Sequence, residues 1–431
     1  MNRIFINDIV ANIRKENRKP RILIFGMGSV ATYLLDYLAS SNFAEVTIAT
    51  RNEDKAIGIV NCVKMAALIR TGSLLKVKVI KTDLENPKEV DTTLEFAKPD
   101  IVVNTSRFLS HVKYGSISWN CCRAYGYWIP MSMYFTKKIG EAIMRTNTNA
   151  IFINTSYPDA TNAWLVKGLG FNRPILGAGN VNHIMARYKN AFIKLWNKEH
   201  EASSLEAEDI NVLLEAGHFH DVLIGKEGID VDTKYPQTLA KQILVKVDLK
   251  NPCDDKLQKK IDSFVNTRHA DILALCNIQF PSDATRNMMV ASSAFEIIET
   301  ICSALDYPDP MTNAKSFDPI CEFVDIPGAF GNVGGNPIAF ILNDNAKACI
   351  NKSSIFGVQD LYAQKVRLNS LYQDGLDVSE LDKGYIKFVN EEKLNKLEKL
   401  LDFQFPKQLH YNEVEEFAQK LVQYVQLYLN N

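Results

Sequence analysis

The sequence predicts an α/β protein, with a doubly wound parallel sheet followed by a second α+β domain and a C-terminal helix. Three observations lead to this prediction. Short apolar runs alternate with segments of helical period from Arg21 to about Ala160. A turn with two glycines joins the first run to the first helical segment, and the alternation loosens beyond Pro174. Because strands that alternate with helices need crossover connections, the sheet is expected to be parallel and open.

The first strand, RILIF at 21–25, is a continuous apolar run, as expected for a parallel strand that is covered on both faces. The elements after it continue the alternation. In chain order they are the helix ATYLLDYLA, the strand EVTIAT, the helix KAIGIVNCVKMAALI, the strand VKVIKTD, the helix PKEVDTTLEFA, the strand DIVVNTS, and two further strands within GYWIPMSM and AIFINTS.

The second half of the chain is predicted to contain fewer strands. Its expected elements are the strand RPILGAG, the helix HIMARYKNAFIKLWNKEH, the strand DINVLLEAGHF running into a loop, the helix TRNMMVASSAFEIIETICSAL, the loop PGAFGNVGGNP and the strand AFILND. The tail YNEVEEFAQKLVQYVQLYL has one apolar stripe, which is typical of a helix docked on the body. We place domain edges near Asn162 and Lys352, which gives domains at 1–162 and 163–352 and a mainly helical segment at 353–431.

Composition excludes several classes of protein. The 431 residues carry a net charge of −1, which argues against non-specific nucleic-acid binding and against a basic membrane-binding surface. The eight cysteines show no CxxC spacing, so a zinc ribbon is not expected. No apolar run reaches the roughly 18 residues of a membrane helix, and the start of the chain has no signal-peptide pattern. We expect a cytoplasmic protein with reduced thiols.

The turn after the first strand reads Gly26-Met27-Gly28-Ser29-Val30-Ala31, a GxGxxA spacing. Gly26 permits a sharp turn, Gly28 lets backbone N–H groups approach a pyrophosphate, and Ala31 lets helix and strand pack closely. The helix after the turn presents its positive N-terminal end to phosphates. Because the turn lies between a predicted strand and a predicted helix, it favours a dinucleotide-binding, Rossmann-type domain over a simple tight turn. Ser29 and Val30 are expected to line the cofactor with the glycines.

The end of the second strand bears on the choice of dinucleotide. NAD-binding domains usually carry an acidic residue about 20 positions after the glycines, which holds the ribose 2′-hydroxyl. Here that strand ends in Thr50, Arg51 and Asn52. Arg51 is suited to a 2′-phosphate, with Thr50 and Asn52 adding hydrogen bonds, so NADP is favoured. Glu53 and Asp54 follow directly and keep NAD open.

Two further strand ends are candidate cofactor contacts. Asp83 closes the third strand, where a carboxylate can accept a hydrogen bond from the adenine amino group. The alternative is a helix N-cap, formed by Asp83 or by Asn86. Asn104 and Thr105 end the fourth strand, at the edge where open α/β sheets bind ligands.

Four stretches in the first third of the chain carry a family resemblance. RILIFGMGSVATYLLDYLA, ATRNEDKA, KTDLENPKEVDTTLEFAKPDIVVNTS and NCCRAYGYWIPMSM resemble the nucleotide-binding half of saccharopine-dehydrogenase-like reductases. That resemblance implies NAD(P)-dependent oxidation and reduction at a carbon–nitrogen bond of amino-acid-like substrates.

A weaker resemblance follows. NAIFINTSYPDATNAWLVKGLGFNRPILGAGNVNHIMARY and EAGHFHD are similar to the middle of the lactate and malate dehydrogenase superfamily. The departures affect its catalytic residues. Tyr157 stands where an asparagine is expected, Asn182 or His183 stands where the aspartate is expected, and Arg187 is one residue out of register. The Asp–His relay of that superfamily therefore does not carry over intact.

His218 and His220 are the leading candidates for acid–base chemistry, because imidazole titrates near neutral pH. We favour His218 slightly as proton donor, since Gly217 before it gives the backbone freedom to turn the ring inward. A metal shared by the two rings and a purely structural role are the alternatives. Tyr157 is the next candidate donor.

Arg187 and His183 lie one helical turn apart, and an arginine there can hold a substrate carboxylate through two parallel hydrogen bonds. A salt bridge on the helix is the alternative for Arg187. Arg107 and His111, after the fourth strand, face either substrate or solvent.

The sequence therefore predicts an NADP-preferring oxidoreductase that acts on a small carboxylate-bearing or amino-acid-like substrate. An NAD-dependent glycosidase on a lactate-dehydrogenase-type scaffold and a non-catalytic NADP-binding sensor remain alternatives, because a fold does not fix a function. The expected partner is a small-molecule substrate, with no nucleic acid, membrane or metal, and a homodimer is left open as an alternative to a monomer.

Overall fold

The computed structural model describes residues 6–109, 117, 124–179, 181–224, 239–250, 254–281, 283–303, 332–333, 336–337 and 361–430. His111 and the predicted strand AFILND lie outside these residues. The predicted loop at 327–337 is described only at Asn332–Val333 (β9) and Asn336–Pro337 (β10), which pair antiparallel.

The N-terminal half is built on one parallel sheet of six strands in the order β3-β2-β1-β4-β5-β6. The strands are β1 (Arg21–Phe25), β2 (Glu45–Thr50), β3 (Val77–Lys81), β4 (Ile101–Asn104), β5 (Ile151–Asn154) and β6 (Ile175–Gly177). In register, Phe25 of β1 pairs with Ala49 and Asn104, and Asn104 pairs with Asn154. The carboxyl ends of the central strands therefore meet at one edge, where open α/β sheets bind ligands.

Helices cover both faces of this sheet, which confirms the doubly wound prediction. They are α1 (Ile6–Glu16), α2 (Ser29–Ser41), α3 (Glu53–Thr71), α4 (Pro87–Ala97), α5 (Ile129–Arg145) and α6 (Pro158–Leu169). Ile22 and Ile24 pack in one apolar cluster with α1, α2 and α3. Leu23 and Phe25 point the other way, into a cluster with α4, α5 and α6. This alternation follows from the two-residue side-chain period of a strand.

The strand predicted within GYWIPMSM is wrong. Tyr125–Trp128 forms a 3₁₀ turn and Ile129 begins α5, with Pro130 in its first turn. Proline fits there because the first N–H groups of a helix have no intrahelical partner. Short apolar runs do not distinguish a buried helix from a buried strand. The remaining strands of the sheet are AIFIN, as predicted, and the strand predicted in RPILGAG, which joins as β6 beyond the expected domain edge at Asn162.

A smaller antiparallel pair follows, made of β7 (Ile210–Glu215) and β8 (Leu244–Leu249). Around it lie α7 (Val181–Glu199), α8 (His218–Ile224) and α9 (Asp255–Leu275), which share a third apolar cluster. The segment predicted as a histidine loop begins the helix α8. The next helix, α10 (Asn287–Ser303), returns to the main sheet and packs on α2.

The C-terminal segment contains α11 (Leu361–Asp374), β11 (Leu376–Asp377), β12 (Tyr385–Phe388), α12 (Glu391–Leu401), β13 (Gln408–His410) and α13 (Val414–Asn430). The predicted tail helix is confirmed: Val414, Leu421 and Val425 of α13 are buried, and α13 packs on α5. Among the described helices, none has the length and apolar character needed to cross a bilayer.

Candidate active site

A cleft of about 450 Å³ opens at the carboxyl edge of the sheet. Its walls come from the glycine turn, the ends of β2, β3 and β4, and the start of α10. The lining residues are Gly26, Met27, Gly28, Ser29, Val30, Ala49, Thr50, Arg51, Asn52, Lys55, Ala56, Thr82, Leu84, Thr105, Ser106, Arg107, Phe135, Ala284 and Asn287. Most of the cofactor contacts expected from sequence therefore lie on one surface.

The glycine turn has the geometry that a pyrophosphate requires. Gly26 has φ +100°, and a Cβ built there would lie 3.0 Å from Oγ1 of Thr105, so only glycine fits. Gly28 immediately precedes α2 and gives it no side-chain cap, and a Cβ at Gly28 would meet nothing within 4 Å. Ala31 is fully buried against the sheet. The α2 N-terminus therefore faces open space that suits an anion.

The ribose end of the cleft is basic. Thr50, Arg51 and Asn52 line it as expected, and the Asn52 side chain also caps α3 by accepting a hydrogen bond from the Lys55 N–H at 3.1 Å. Lys55, which the sequence reading missed, adds a second cation. No carboxylate is among the described residues that line the cleft, because Glu53 and Asp54 enter α3 outside the lining.

Asp83 and Asn104, which were expected to contact the cofactor, form hydrogen bonds within the protein instead. Asp83 lies between the lining residues Thr82 and Leu84 but does not line the cleft, and its carboxylate accepts a hydrogen bond from the Glu85 N–H at 3.1 Å. Asn104 is completely buried, and its amide donates to Oδ1 of Asn154 at 3.2 Å. Asn104 therefore joins the ends of β4 and β5.

A second cavity, of about 120 Å³, shares Arg107 and Asn287 with the cleft. Its remaining lining residues are Tyr125, Trp128, Ser132, Thr155, Tyr157, Pro158, Asp159, Gly179, Val181, His183, His218, Arg286 and Val290. The structure thus brings four predicted residues together beside the cofactor cleft: Arg107, Tyr157, His183 and His218. Arg286, Asp159 and Tyr125 were not found from sequence.

His218 is held by a buried carboxylate from α11. Its Nδ1 lies 2.8 Å from Oδ2 of Asp374, and the same oxygen accepts the Tyr157 hydroxyl at 2.5 Å. Asp374 is 2% exposed. The rings of Tyr157 and Tyr125 pack on the imidazole, with centroids at 4.7 and 5.0 Å. One carboxylate therefore fixes the orientation of both candidate proton donors.

The electrostatics of this group favour a charged imidazole. Burial by itself lowers the pKa of His218, but the charge of Asp374, its hydrogen bond, and the charges of Asp221 and Asp159 outweigh burial and raise that pKa above its usual value. Burial, reinforced by Asp374, raises the pKa of Tyr157 well above its usual value. Asp374 therefore favours the protonated form of His218, whereas Tyr157 keeps its proton.

Burial keeps His183 and His220 neutral. Burial lowers the pKa of His220 to about 4, and its Nδ1 accepts a hydrogen bond from the Gly217 N–H at 3.0 Å. His220 does not line the cavity. Burial also lowers the pKa of His183 to about 4, and neither ring nitrogen has a hydrogen bond of normal geometry to the described residues. His183 therefore presents an uncharged imidazole to the cavity.

Arg187 does not line the cavity and is not positioned as a substrate clamp. Its guanidinium forms a buried salt bridge with Asp221 and donates to the carbonyl of His183 at 3.2 Å. A buried charge pair of this kind satisfies itself, so a substrate carboxylate would have to displace Asp221. Arg107 and Arg286 are the guanidinium groups on the cavity wall. No cluster of histidine, cysteine and acidic side chains in the described part of the chain is arranged to hold a metal.

Comparison with known proteins agrees with this geometry. Residues 22–124 match the family model described as saccharopine dehydrogenase NADP binding domain. No curated protein sequence matches the chain.

Two solved structures with a similar fold are dehydrogenases. The lactate dehydrogenase from Cryptosporidium parvum, solved with lactic acid and β-nicotinamide adenine dinucleotide, is 13% identical and superposes with a TM-score of 0.50 over 85% of this chain and 98% of that chain. The apo malate dehydrogenase from Picrophilus torridus is 15% identical, with a TM-score of 0.52 over the same shares. At these identities the superposition establishes the fold. Residues 22–124 are thus similar to a saccharopine dehydrogenase NADP binding domain and lie within a Rossmann-type fold, and these findings support a nicotinamide-dinucleotide-dependent dehydrogenase or reductase.

Proposed function

We propose that the protein is an NADP-preferring oxidoreductase that acts at a carbon–nitrogen bond of a carboxylate-bearing, amino-acid-like substrate. The observation that carries the proposal is the position of His218. It lies in a cavity that opens beside the dinucleotide cleft, and a buried aspartate holds its ring. A nicotinamide dinucleotide held by the residues of the cleft would supply or accept hydride, and the side chains of the cavity would move the proton that accompanies it.

His218 is the proposed proton donor in the reductive direction. Asp374 raises the pKa of its imidazole and stabilises the charged form. As the substrate carbon receives hydride, the imidazolium gives its Nε2 proton to the substrate nitrogen, and neutral His218 remains bonded to Asp374 through Nδ1. In the oxidative direction the same ring accepts that proton.

Tyr157 is proposed to position His218 rather than to exchange protons. Its hydroxyl is committed to the shared Asp374 oxygen, and its ring packs edge-on against the imidazole. The backbone of Tyr157 has φ +46°, an uncommon conformation for a non-glycine residue. The surrounding structure must hold that conformation, which is common where a residue is oriented for function.

The charges on the cavity wall favour a substrate with both a carboxylate and an amino group. Arg107 and Arg286 supply guanidinium groups, which suit a carboxylate. Asp159 supplies a carboxylate, and the faces of Tyr125 and Trp128 suit a cation. A hydroxy acid without nitrogen would offer no cationic group to Asp159 or to the aromatic rings.

The preference for NADP is supported by the cleft. Arg51 and Lys55 line its ribose end, and no carboxylate does so among the described residues. The negative charge of a 2′-phosphate would be matched by these two cations, whereas a ribose 2′-hydroxyl would lack the acidic partner that is usual in NAD-binding domains.

The proposal is tested by following NADPH oxidation with a panel of 2-oxo acids, each with and without an added amine. We expect turnover that requires both the oxo acid and the amine. With the active substrate in hand, His218→Gln should lower turnover about 10²- to 10⁴-fold while leaving NADPH affinity nearly unchanged. His220→Gln is the matched control, because His220 is only two residues from His218 in the sequence but does not line the cavity. Equal activity of both variants would remove His218 as donor, and activity on hydroxy or oxo acids alone would remove the carbon–nitrogen assignment.

A further inference from the structure

The cofactor cleft and the His218 cavity have two described lining residues in common, Arg107 and Asn287. Hydride passes directly between a nicotinamide ring and a substrate carbon, so the reacting atoms must lie within about 3.5 Å of each other. The ring therefore belongs where the cofactor site and the substrate site meet. Arg107 and Asn287 mark that meeting point.

The first turn of α10 forms the wall at this point. Asn287 is the first residue of the helix, Ala284 before it lines the cleft, and Arg286 and Val290 line the cavity. Further along, α10 packs on α2, the helix that follows the glycine turn. The packing of these two helices thus fixes the position of Asn287 relative to the cofactor site.

A hydrogen bond fixes the orientation of the Asn287 side chain. Its Nδ2 donates to Oγ of Ser29, the first residue of α2, at 2.5 Å. No described residue donates a hydrogen bond to its Oδ1. A carboxamide oxygen is an acceptor with two lone pairs. Asn287 therefore has acceptor capacity for a ligand at the meeting point of the two sites.

The hydrogen-bonding groups of nicotinamide match the two shared side chains. Its carboxamide has N–H donors and a carbonyl acceptor. The guanidinium of Arg107 only donates, so it suits the carbonyl oxygen, whereas Oδ1 of Asn287 accepts and suits the N–H group. Asn52, the other described carboxamide that lines the cleft, lies at the ribose end and caps α3. Asn287 is therefore the carboxamide placed to meet the nicotinamide.

We propose that Asn287 binds the nicotinamide carboxamide and holds the ring at the mouth of the His218 cavity. This inference rests on the proposed function in one respect, that the cofactor is a nicotinamide dinucleotide. The glycine turn and the end of β2 account for the pyrophosphate and the ribose, and α10 supplies the contact to the reactive ring.

The test measures, by calorimetry on the full chain, the dissociation constants of NADP⁺, its thionicotinamide analogue and its acetylpyridine analogue. The thionicotinamide analogue keeps the N–H group, whereas the acetylpyridine analogue has a methyl group in its place. We expect the wild type to bind the acetylpyridine analogue about two- to tenfold more weakly than the thionicotinamide analogue, which is the usual contribution of one hydrogen bond.

The variants remove the acceptor of Asn287. In Asn287→Leu, which has a side chain of similar size, the preference between the two analogues should disappear, and the affinity for NADP⁺ should fall about two- to tenfold. Asn287→Ala, which adds no apolar bulk, should show the same loss of preference. Met288→Leu is the matched control and should keep the wild-type preference, because Met288 is the next residue of α10, is 42% exposed and lines neither site.

The outcomes separate this inference from the proposed function. If both Asn287 variants weaken the binding of all three dinucleotides equally and keep the wild-type preference, Asn287 acts only through packing, and this inference alone is overturned. A wild type that binds NADP⁺ without any preference between the analogues has the same meaning. A wild type that binds none of the three dinucleotides, nor NAD⁺, overturns the proposed function together with this inference. Circular dichroism melting checks that each variant is folded before its affinities are compared.

Discussion

Replacement of Asp374 by asparagine separates the charge of this residue from its shape. Asparagine has nearly the same size and keeps a carbonyl oxygen that can accept the His218 Nδ1 proton. What it removes is the negative charge 2.8 Å from the imidazole. Hydrogen bonds that involve a charged group contribute about 1.5–3 kcal/mol. Because each 1.36 kcal/mol is a factor of ten in rate, Asp374→Asn should lower turnover by about ten- to a hundredfold at neutral pH.

The pH dependence distinguishes this effect from simple damage to the fold. In the wild type, Asp374 opposes the effect of burial and keeps the pKa of His218 raised, so reductive turnover is lost only as the pH rises through that raised pKa. In Asp374→Asn, burial is no longer opposed, and the pKa of His218 falls. The loss of reductive turnover on raising the pH should therefore begin at a lower pH than in the wild type.

The assay is the initial rate of NADPH oxidation with saturating substrate, measured from acidic to alkaline pH, together with NADPH binding by calorimetry. Asp377→Asn serves as control, because Asp377 lies three residues further on and bonds only the local Ser379 N–H in the described structure. We expect wild-type behaviour from the control and unchanged NADPH affinity in both variants. A wild-type rate and pH profile in Asp374→Asn would refute the reasoning that Asp374 maintains the charge of His218.

Three further predictions follow from the cleft and the buried histidines. Arg51→Asp should weaken NADPH binding ten- to a hundredfold relative to NADH, because a charge-assisted contact to phosphate contributes about 1.5–3 kcal/mol; equal affinity of the wild type for both cofactors would contradict this. Gly28→Val should abolish dinucleotide binding and leave the melting temperature nearly unchanged, since the side chain enters the open space over α2 rather than the core; calorimetry that finds unchanged affinity would exclude the dinucleotide site. Burial lowers the pKa of His183 and His220 to about 4 in the folded protein. Below about pH 6.5 the unfolded chain therefore binds more protons at these two residues than the folded protein does. Each histidine should lower the free energy of unfolding by up to about 3 kcal/mol as the pH falls to about 4. Denaturant titrations at pH 7 and pH 5 check this, and stability that does not fall between them would contradict it.

The first half of the fold was predictable because its signals are local. Strands covered on both faces are continuous apolar runs, and the residue types of the glycine turn are dictated by backbone geometry at Gly26 and by open space at Gly28. The strand that was wrongly predicted around Ile129 also has a local explanation. A run of eight apolar and small residues fits either element, and Pro130 is as compatible with the first turn of a helix as with a strand edge.

The active-site candidates were predictable only in part. His218 and Tyr157 follow strands, where open α/β folds carry ligand contacts, so their positions gave a signal. Asp374 gave none, because it is 156 residues from His218 and comes at the end of an ordinary helix. The expectation that Arg187 holds the substrate also missed a partner that is distant in the sequence. Its helical spacing to His183 was visible in sequence, but its partner Asp221 lies on another element.

The chain forms an aspartate–histidine pair in which the aspartate, Asp374, comes from α11 rather than from α7. A carboxylate can hold an imidazole from any element that packs against it, and here α11 packs against the turn before α8. A Cβ at Gly217 would lie 2.6 Å from Cβ of Ser370, so glycine is what allows α11 to approach. After Asp374 the chain turns at Gly375, where φ is +106° and a Cβ would lie 2.9 Å from the Tyr127 ring. The C-terminal segment is therefore a component of the candidate active site, and its docking brings the proposed proton donor under electrostatic control.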